Sequence, residues 1–393
     1  MTVTTPKRLA ALALIAMIAL AACSNSGASS APSTGSTATS APTTGASPGA
    51  VTSAAPSAAA APAPPSASIT LQGAGATFPA PLYDSWFQAF NGLYSNVQID
   101  YQANGSGAGI KAITEQTVDF GASDAPMKDA ELAALPAGSK MLHFPTALGA
   151  VVMIYNLPDV PKLQLDSANI AGIFLGKITK WNDPAIAANN AGVTLPDTAI
   201  LIEHRSDGSG TTNAFTTYLD TVDPTWHSSV GAGKEVKWPT GVGAAGNDGV
   251  ATGVKQTVGA IGYVELNYAT ATGLTSALLK NADGNFVPGS TDGVTAAAEA
   301  VVADFPADFR QVPIINGTGK DTYPIASYTY LLVYQDQTNA DKGKTLVSFI
   351  YWALNDGQAG EAALGYAPLP AQVQTKALEQ LHLVTAGGSP IWP

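Results

Sequence analysis

The chain has 393 residues, 46% of them hydrophobic and only 12% charged, with 39 glycines and 27 prolines. That apolar share permits a sizeable core. A formal net charge of −11 with no Lys/Arg-rich stripe excludes a nucleic-acid binder, which has to neutralise phosphates along a basic face.

Residues 1–22 read as a signal peptide. Lys7 and Arg8 form a positive start, and the apolar run from Leu9 to Ala19 follows, too short for the roughly 20 residues of a spanning helix. Leu20-Ala21-Ala22-Cys23 resembles the lipobox of bacterial lipoproteins, in which the cysteine carries lipid and begins the mature chain. Cys23 is the only cysteine, so no internal disulfide is possible and lipidation is the better explanation for it. Cleavage there takes two positive charges from a net −11 and leaves −13. Residues 23–68 then form the lipidated cysteine and a tether of Ala, Ser, Pro, Thr and Gly without a charged residue, a composition that is expected to stay disordered.

From Ile69 the pattern changes to apolar runs alternating with helical spacing, without a fixed-period repeat, which indicates an α/β architecture of two ordinary-sized domains. A strand at 69–71 leads through Gly73-Ala74-Gly75-Ala76-Thr77-Phe78-Pro79 to a helix with Tyr83, Trp86, Phe87, Phe90 and Tyr94 at helical spacing. Pro79 suits a first helical turn, so Thr77 and Phe78 lie where backbone N–H groups are free. Val97, Ile99 and Tyr101 alternate as a strand, which ends in Asn104-Gly105-Ser106-Gly107-Ala108-Gly109 before a helix expected from Ile110. This junction lacks both the Gly-Lys-Ser/Thr of a P-loop and the spacing of a dinucleotide fingerprint.

An apolar strand next ends at Ser123-Asp124-Ala125-Pro126. Gly121-Ala122-Ser123-Asp124-Ala125 is one glycine short of a nucleophile elbow. None of the four histidines, His143, His204, His227 and His382, stands in a local context that marks it as a base, so a hydrolase is not the expectation. Asp124 reads either as a carboxylate held beside a pocket or as a turn-forming residue. There is no His-x3-His, no cysteine pair and no EF-hand spacing, so neither a metal nor a cofactor is expected.

A buried strand is expected at 149–156 and a helix at 170–175. Another short buried strand at 199–202 precedes Glu203-His204-Arg205-Ser206-Asp207-Gly208-Ser209-Gly210-Thr211-Thr212, and a helix with Phe215, Tyr218 and Leu219 on one face follows. A guanidinium, three hydroxyls and an open helix N-terminus around a glycine turn can hold an anion. The same residues also suit a plain strand–turn–helix connection with a solvated Arg205. Strands at 259–264 and 328–334 and a mostly apolar helix at 347–354 complete the pattern.

These stretches together are similar to the phosphate-binding proteins of bacterial phosphate ABC importers, the Pst family. Gly73 to Pro79, Asp119 to Pro126 and Asp207 to Thr211 carry the resemblance. Leu175-Gly176-Lys177-Ile178, Lys180-Trp181, Gly246-Asn247-Asp248-Gly249 and Gly259-Ala260-Ile261-Gly262-Tyr263-Val264-Glu265 follow in the family's order. Each motif is weak alone; the ordered set, from Ile69 to about Pro370, is specific. It implies a two-lobed periplasmic-binding-protein fold of type II with two hinge crossovers and the ligand in the interlobe cleft. Lobe I would comprise 69–152 and 325–393, and lobe II 153–324.

Carried over by position, the resemblance implies phosphate contacts from Thr77, Phe78, Ser106, Asp124, Arg205, Ser209, Gly210 and Thr211, with Asp207 orienting Arg205. It further implies no catalysis, delivery of inorganic phosphate to the permease subunits of an ABC importer, and a monomer. With lipid on Cys23, the protein is expected at the outer face of the bacterial cell membrane. Asn104, Gly107, His204 and Ser206 depart from the family's pattern. None of them replaces an implied ligand, and His204 stands where it could tune Arg205.

Overall fold

The computed structural model describes residues 62–302, 305–310 and 314–393. The expected signal peptide, the lipidated Cys23 and the tether up to residue 61 lie outside the described residues. The end of the tether is described, and it is tied to the body before Ile69. Asn96 Nδ2 donates to Pro65 O at 2.9 Å and to Ala67 O at 2.8 Å, and Ser348 Oγ donates to Pro62 O at 2.8 Å. Composition alone places this stretch in the tether because its backbone, not its side chains, makes the contacts.

The main sheet is formed by β1 (Ile69–Gly75), β2 (Val97–Ala103), β3 (Phe120–Ser123), β4 (Met141–Tyr155), β5 (Leu201–Arg205), β6 (Val242–Ala244), β7 (Ala260–Glu265) and β8 (Ala326–Tyr334). Its order is β2-β1-β3-β8-β4-β7-β5-β6, with the short strand Thr275–Ser276 also paired to β4. β1 runs parallel to β2 and β3, and β5 runs parallel to β6 and β7. The long β4 joins these two halves. From Met141 to Ala150 it pairs antiparallel with β8, and from Val151 to Tyr155 it pairs antiparallel with β7. One strand therefore belongs to both lobes, and the change of partner between Ala150 and Val151 marks a crossing.

Among the helices of the described residues are α1 (Ala80–Leu93), α2 (Ser106–Thr114), α3 (Ser167–Phe174), α4 (Gly210–Val222), α5 (Gly246–Gln256) and α6 (Ala340–Leu354). The aromatic spacing of α1 places Tyr83, Trp86, Phe87 and Phe90 in the core, where Phe87 and Phe90 each lie 5.4 Å from the Phe349 ring of α6. Full burial of each such side chain contributes about 1.5–3 kcal/mol. The second lobe has its own aromatic core, with Phe215 of α4 stacked on Tyr263 of β7 at 4.4 Å and meeting Phe174 of α3 at 4.7 Å.

Several expected boundaries move. The helix expected from Ile110 opens at Ser106, because the glycine-rich run that looks like loop is its first turn. The strand expected at 149–156 starts at Met141 and is buried almost throughout, although it contains Pro145. A register shift opposite Thr329 and Tyr330 leaves Thr146 as an extra residue, which is how a proline fits in a central strand. The expected buried strand at 199–202 is shifted onto Leu201–Arg205, with Leu201 exposed and His204 and Arg205 buried. Apolar content misleads there because the polar end of the strand is buried, Arg205 in the interlobe cleft and His204 against Trp238. α6 extends two turns ahead of the expected 347, started by Asn339, whose side chain accepts from the Asp341 and Lys342 amides.

Helix α2 sits close on β1 and β3 because Gly109 has no side chain. A Cβ there would lie 2.5 Å from Gly75 Cα and 2.7 Å from the Ala74 and Ala122 carbonyl oxygens, all backbone atoms that cannot turn aside. Gly109→Ala is expected to lower stability by about 1–3 kcal/mol in urea unfolding, since overpacking outweighs the better helix propensity of alanine.

Candidate functional site

The parallel strands on both sides of β4 end at the same cleft, and the helices that follow them start there. Beyond β1 lie Thr77, Phe78 and α1; beyond β2 lies Ser106, the first residue of α2; beyond β5 lie Ser209 and α4; beyond β6 lies α5. Helix N-termini carry unsatisfied N–H groups and partial positive charge, so the topology alone gathers four such ends.

Within this cleft the side chains are joined in small clusters. Ser106 Oγ accepts from Gly210 N at 3.0 Å and from Asp124 N at 3.2 Å, across the two lobes and along the end of β3. Asp124 Oδ1 accepts from Thr329 Oγ1 at 2.9 Å, and Oδ2 lies 3.5 Å from Ser106 Oγ, at the limit of a hydrogen bond. Gly210 packs directly on that carboxylate. A Cβ on Gly210 would fall 2.5 Å from Asp124 Cβ, so only glycine allows α4 to start here. Ser209 caps α4, its Oγ accepting from Thr212 N at 3.0 Å, and its own N–H is anchored on Lys234 O at 2.9 Å.

Thr77 and Thr211 come from opposite sides of the cleft and meet at Asn247, near the start of α5. Asn247 Nδ2 donates to Thr77 Oγ1 at 2.9 Å and to Thr211 Oγ1 at 3.3 Å, and Asn247 N lies 3.3 Å from the same Thr77 oxygen. Phe78 is fully buried in the turn into α1, and its carbonyl accepts from Tyr366 OH at 2.7 Å.

Arg205 is 3% exposed, the end of β5 having carried it into the cleft. Its Nε donates to Asp207 Oδ1 at 2.7 Å and its Nη2 makes a second, short bond to Asp207 Oδ2. The remaining terminal nitrogen, Nη1, is buried without a protein partner. Asp207 thus holds one edge of the guanidinium and leaves another for a guest. Burial works to raise the Asp207 carboxyl, but the bonds and charge of Arg205 and the Gly246 N–H outweigh it and hold it below the usual range.

Asp124 is the opposite case. Burial pushes its carboxyl from an ordinary 3.8 up to about 7, against the opposing pull of the Thr329 hydrogen bond, the Arg205 charge and Ser106. It sits poised between acceptor and donor in a cleft otherwise lined with donors. His204 is turned away from the cleft: its Nδ1 meets Arg205 O at 3.1 Å and its ring stacks on Trp238 at 4.6 Å. Burial holds its pKa below the usual value.

All nine residues named from the sequence therefore lie at this junction of strand ends and helix starts. Reading the sequence misses Asn247, Thr329 and Tyr263, whose OH bonds both Thr212 Oγ1 at 2.6 Å and the Arg205 amide at 3.2 Å. The Gly246-Asn247 pair stands in a family-like motif without a role attached. Thr329 looks like an ordinary strand residue, since only the pairing of β8 with β3 brings it to Asp124. Ser123, the serine of the imperfect elbow, donates to Ala125 O at 2.5 Å, and His143 accepts from the Met127 amide at 3.1 Å. The two share no hydrogen bond. Among the described residues no group of three or more His, Cys, Asp or Glu is placed to hold a metal ion.

A domain family described as "PBP superfamily domain" matches residues 32–356. The phosphate-binding protein PstS of Pasteurella multocida is 40% identical over 327 residues, covering 82% of this chain and 93% of its own length. That of Methanocaldococcus jannaschii is 36% identical, covering 81% of this chain and 87% of its own. A solved phosphate-binding protein from Stenotrophomonas maltophilia, 23% identical, covers 80% of this chain and 94% of its own with a TM-score of 0.63, which bears on the fold. With this identity and coverage, and a cleft built on strand ends and helix starts, the chain belongs to the PBP superfamily and, within it, to the PstS family of phosphate-binding proteins.

Proposed function

We propose that the protein binds inorganic phosphate in the interlobe cleft and delivers it to the membrane subunits of an ABC importer. The relatives named PstS support this reading, and the donor pattern of the cleft carries it. The hydroxyls of Thr77, Ser106, Ser209 and Thr211 all accept hydrogen bonds from protein N–H groups. Thr77, Ser209 and Thr211 therefore keep their own hydrogens for a guest, the Ser106 hydroxyl points to Asp124 Oδ2 at 3.5 Å, and Arg205 Nη1 adds another donor. The guest that fits is compact, anionic and rich in acceptor oxygens.

Asp124 adds one acceptor to this set, which suits a guest with one hydroxyl. Phosphate near neutral pH keeps at least one proton, whereas sulfate keeps none. Ionised Asp124 accepts from P–OH but meets sulfate with lone pairs and like charge, and a site built around a ligand hydroxyl can reject an analogue without it by about 10⁴–10⁵. Arg205 supplies the planar fork.

The lobes in this reading comprise 69–152 with 325–393, and 153–324. The binding residues come from both, so phosphate closes them upon each other. The interlobe contacts of Gly107 N to Gly208 O at 2.8 Å and of Lys234 Nζ to Glu131 Oε1 at 2.7 Å belong to that closed state. Lipid on Cys23 and the tether hold the protein, as a monomer without catalytic activity, at the outer face of the cell membrane. No helix among the described residues is long and apolar enough to cross a membrane.

Asp124→Asn replaces one carboxylate oxygen with an N–H donor. Calorimetry is expected to show phosphate affinity lowered on the order of 10–100-fold and its advantage over sulfate narrowed; unchanged selectivity defeats the assignment.

In the wild type the same advantage depends on pH. Asp124 gains a proton as pH falls through about 7, and the neutral carboxyl then donates to a sulfate oxygen. The phosphate-to-sulfate affinity ratio is expected to fall between about pH 8 and pH 5, and to stay nearly flat over that range in Asp124→Asn. A flat wild-type ratio would remove Asp124 as the discriminating group.

A further inference from the structure

We propose that Asn247 sets the polarity of the binding hydroxyls: its side-chain amide, donating to Thr77 Oγ1 and Thr211 Oγ1, turns both O–H bonds toward the anion. This role deepens the assignment of the cleft to phosphate and rests on it.

Asn247 is fully buried. Its carboxamide orientation is determined by a partner that has no choice of role: the Glu265 backbone N–H can only donate, and it donates to Asn247 Oδ1 at 3.1 Å. Nδ2 is therefore the atom that faces the two threonines, and an NH₂ group is donor only. A hydroxyl that accepts from it retains its own hydrogen for another acceptor. Thr77 Oγ1 takes the Asn247 backbone N–H as well, at 3.3 Å, so both its lone pairs are engaged. Had the residue been an aspartate, both hydroxyls would find a carboxylate at close range and turn their hydrogens to it, presenting lone pairs to an anionic guest.

Asn247 also links the lobes, since Thr77 follows β1 and Thr211 lies in α4. It does not itself grip the anion. It is a positioning residue, acting through two hydroxyls, and a single side chain serves contacts from both sides of the cleft.

A polarity role and a merely structural role predict different orders of damage. Asp is nearly the shape of Asn, so a packing role makes Asn247→Asp the milder change and Asn247→Ala the worse. A polarity role reverses this. Titration of the full protein with phosphate at pH 8 is expected to show about a tenfold loss for Asn247→Ala, whose threonines can still rotate, and about 100-fold or more for Asn247→Asp.

The second readout is pH. Glu265, Asp207, Asp248, Arg205, Asp124 and Tyr268 lie around this junction in wild type and variant alike, so the ratio of variant to wild-type affinity isolates the introduced carboxyl. That ratio is expected to recover towards one at pH 5, where a protonated Asp at position 247 again has a hydrogen to donate. Asn247→Ala is expected to show no such recovery. Asn247→Asp equal to or milder than Asn247→Ala, or a ratio flat with pH, overturns the proposal.

Should Asn247→Asp fail to fold, a double-mutant cycle of Asn247→Ala with Thr211→Val decides the matter. Less-than-additive losses support the proposal and additive losses overturn it. A wild-type protein that binds no phosphate refutes the functional reading itself, and the proposal falls with it.

Discussion

The proposed phosphate site depends on hydroxyl lone pairs that protein N–H groups already occupy. A serine or threonine oxygen offers one hydrogen and two lone pairs, and left free it rotates to suit whatever approaches. Here Ser106 Oγ takes two backbone N–H groups, Thr77 Oγ1 takes the side-chain and backbone nitrogens of Asn247, and Ser209 Oγ caps α4. In the proposed site Thr77 and Ser209 are thereby left as donors, while the Ser106 hydrogen is directed to Asp124 Oδ2. Much of the fold serves this arrangement, because the donating N–H groups belong to helix starts delivered by parallel strands on both sides of β4.

Asp124 and Arg205 show how burial sets two charged groups to different tasks. Arg205 is clamped by Asp207, which takes two of its nitrogens and leaves Nη1. Asp124 receives no such close cation. Its partners are hydroxyls, the backbone of Gly210 is pressed against it, and burial prevails, moving its carboxyl to about 7. A carboxylate deep among donors would be a liability against an anion without protons, and is useful against one that keeps a proton. Gly210 packs against Asp124 where a side chain would not fit, and in this buried setting the hydrogen bonds to Asp124 act in a medium of low dielectric.

The fold and the candidate site are legible in the sequence to different depths. The three strand–glycine–helix junctions and the acid at 124 stand out locally, because small residues must recur wherever a backbone approaches a ligand. Aromatic spacing in α1 likewise reports its buried face. What the sequence conceals is long-range. Asn247 and Thr329 meet Thr77 and Asp124 across separations of 170 and 205 residues, and no local pattern gives either of them that role. The strand at Leu201–Arg205 is misplaced by its apolar content for a related reason: Leu201 at its start is exposed, while Arg205 is buried in the cleft and His204 against Trp238. Composition draws the tether too long because residues 62–68 are held through carbonyl oxygens, which composition does not reveal.

A net charge of −11 also looks unsuited to an anion binder, and the cleft shows why it matters little. Among the residues proposed to hold phosphate, Arg205 is matched by Asp207, and Asp124 adds no positive charge even when protonated. A net positive charge is therefore not what these residues offer an anion. In the proposed site directed donors supply the affinity: hydroxyl hydrogens, the Asn247-directed pair, the remaining Arg205 N–H and the helix N-termini. Such interactions act at about 3 Å, well inside a screening length of about 8–10 Å, and the groups involved are buried. Surface charge is thereby left free to keep the protein soluble, while recognition rests on which oxygens carry hydrogen and where those hydrogens point.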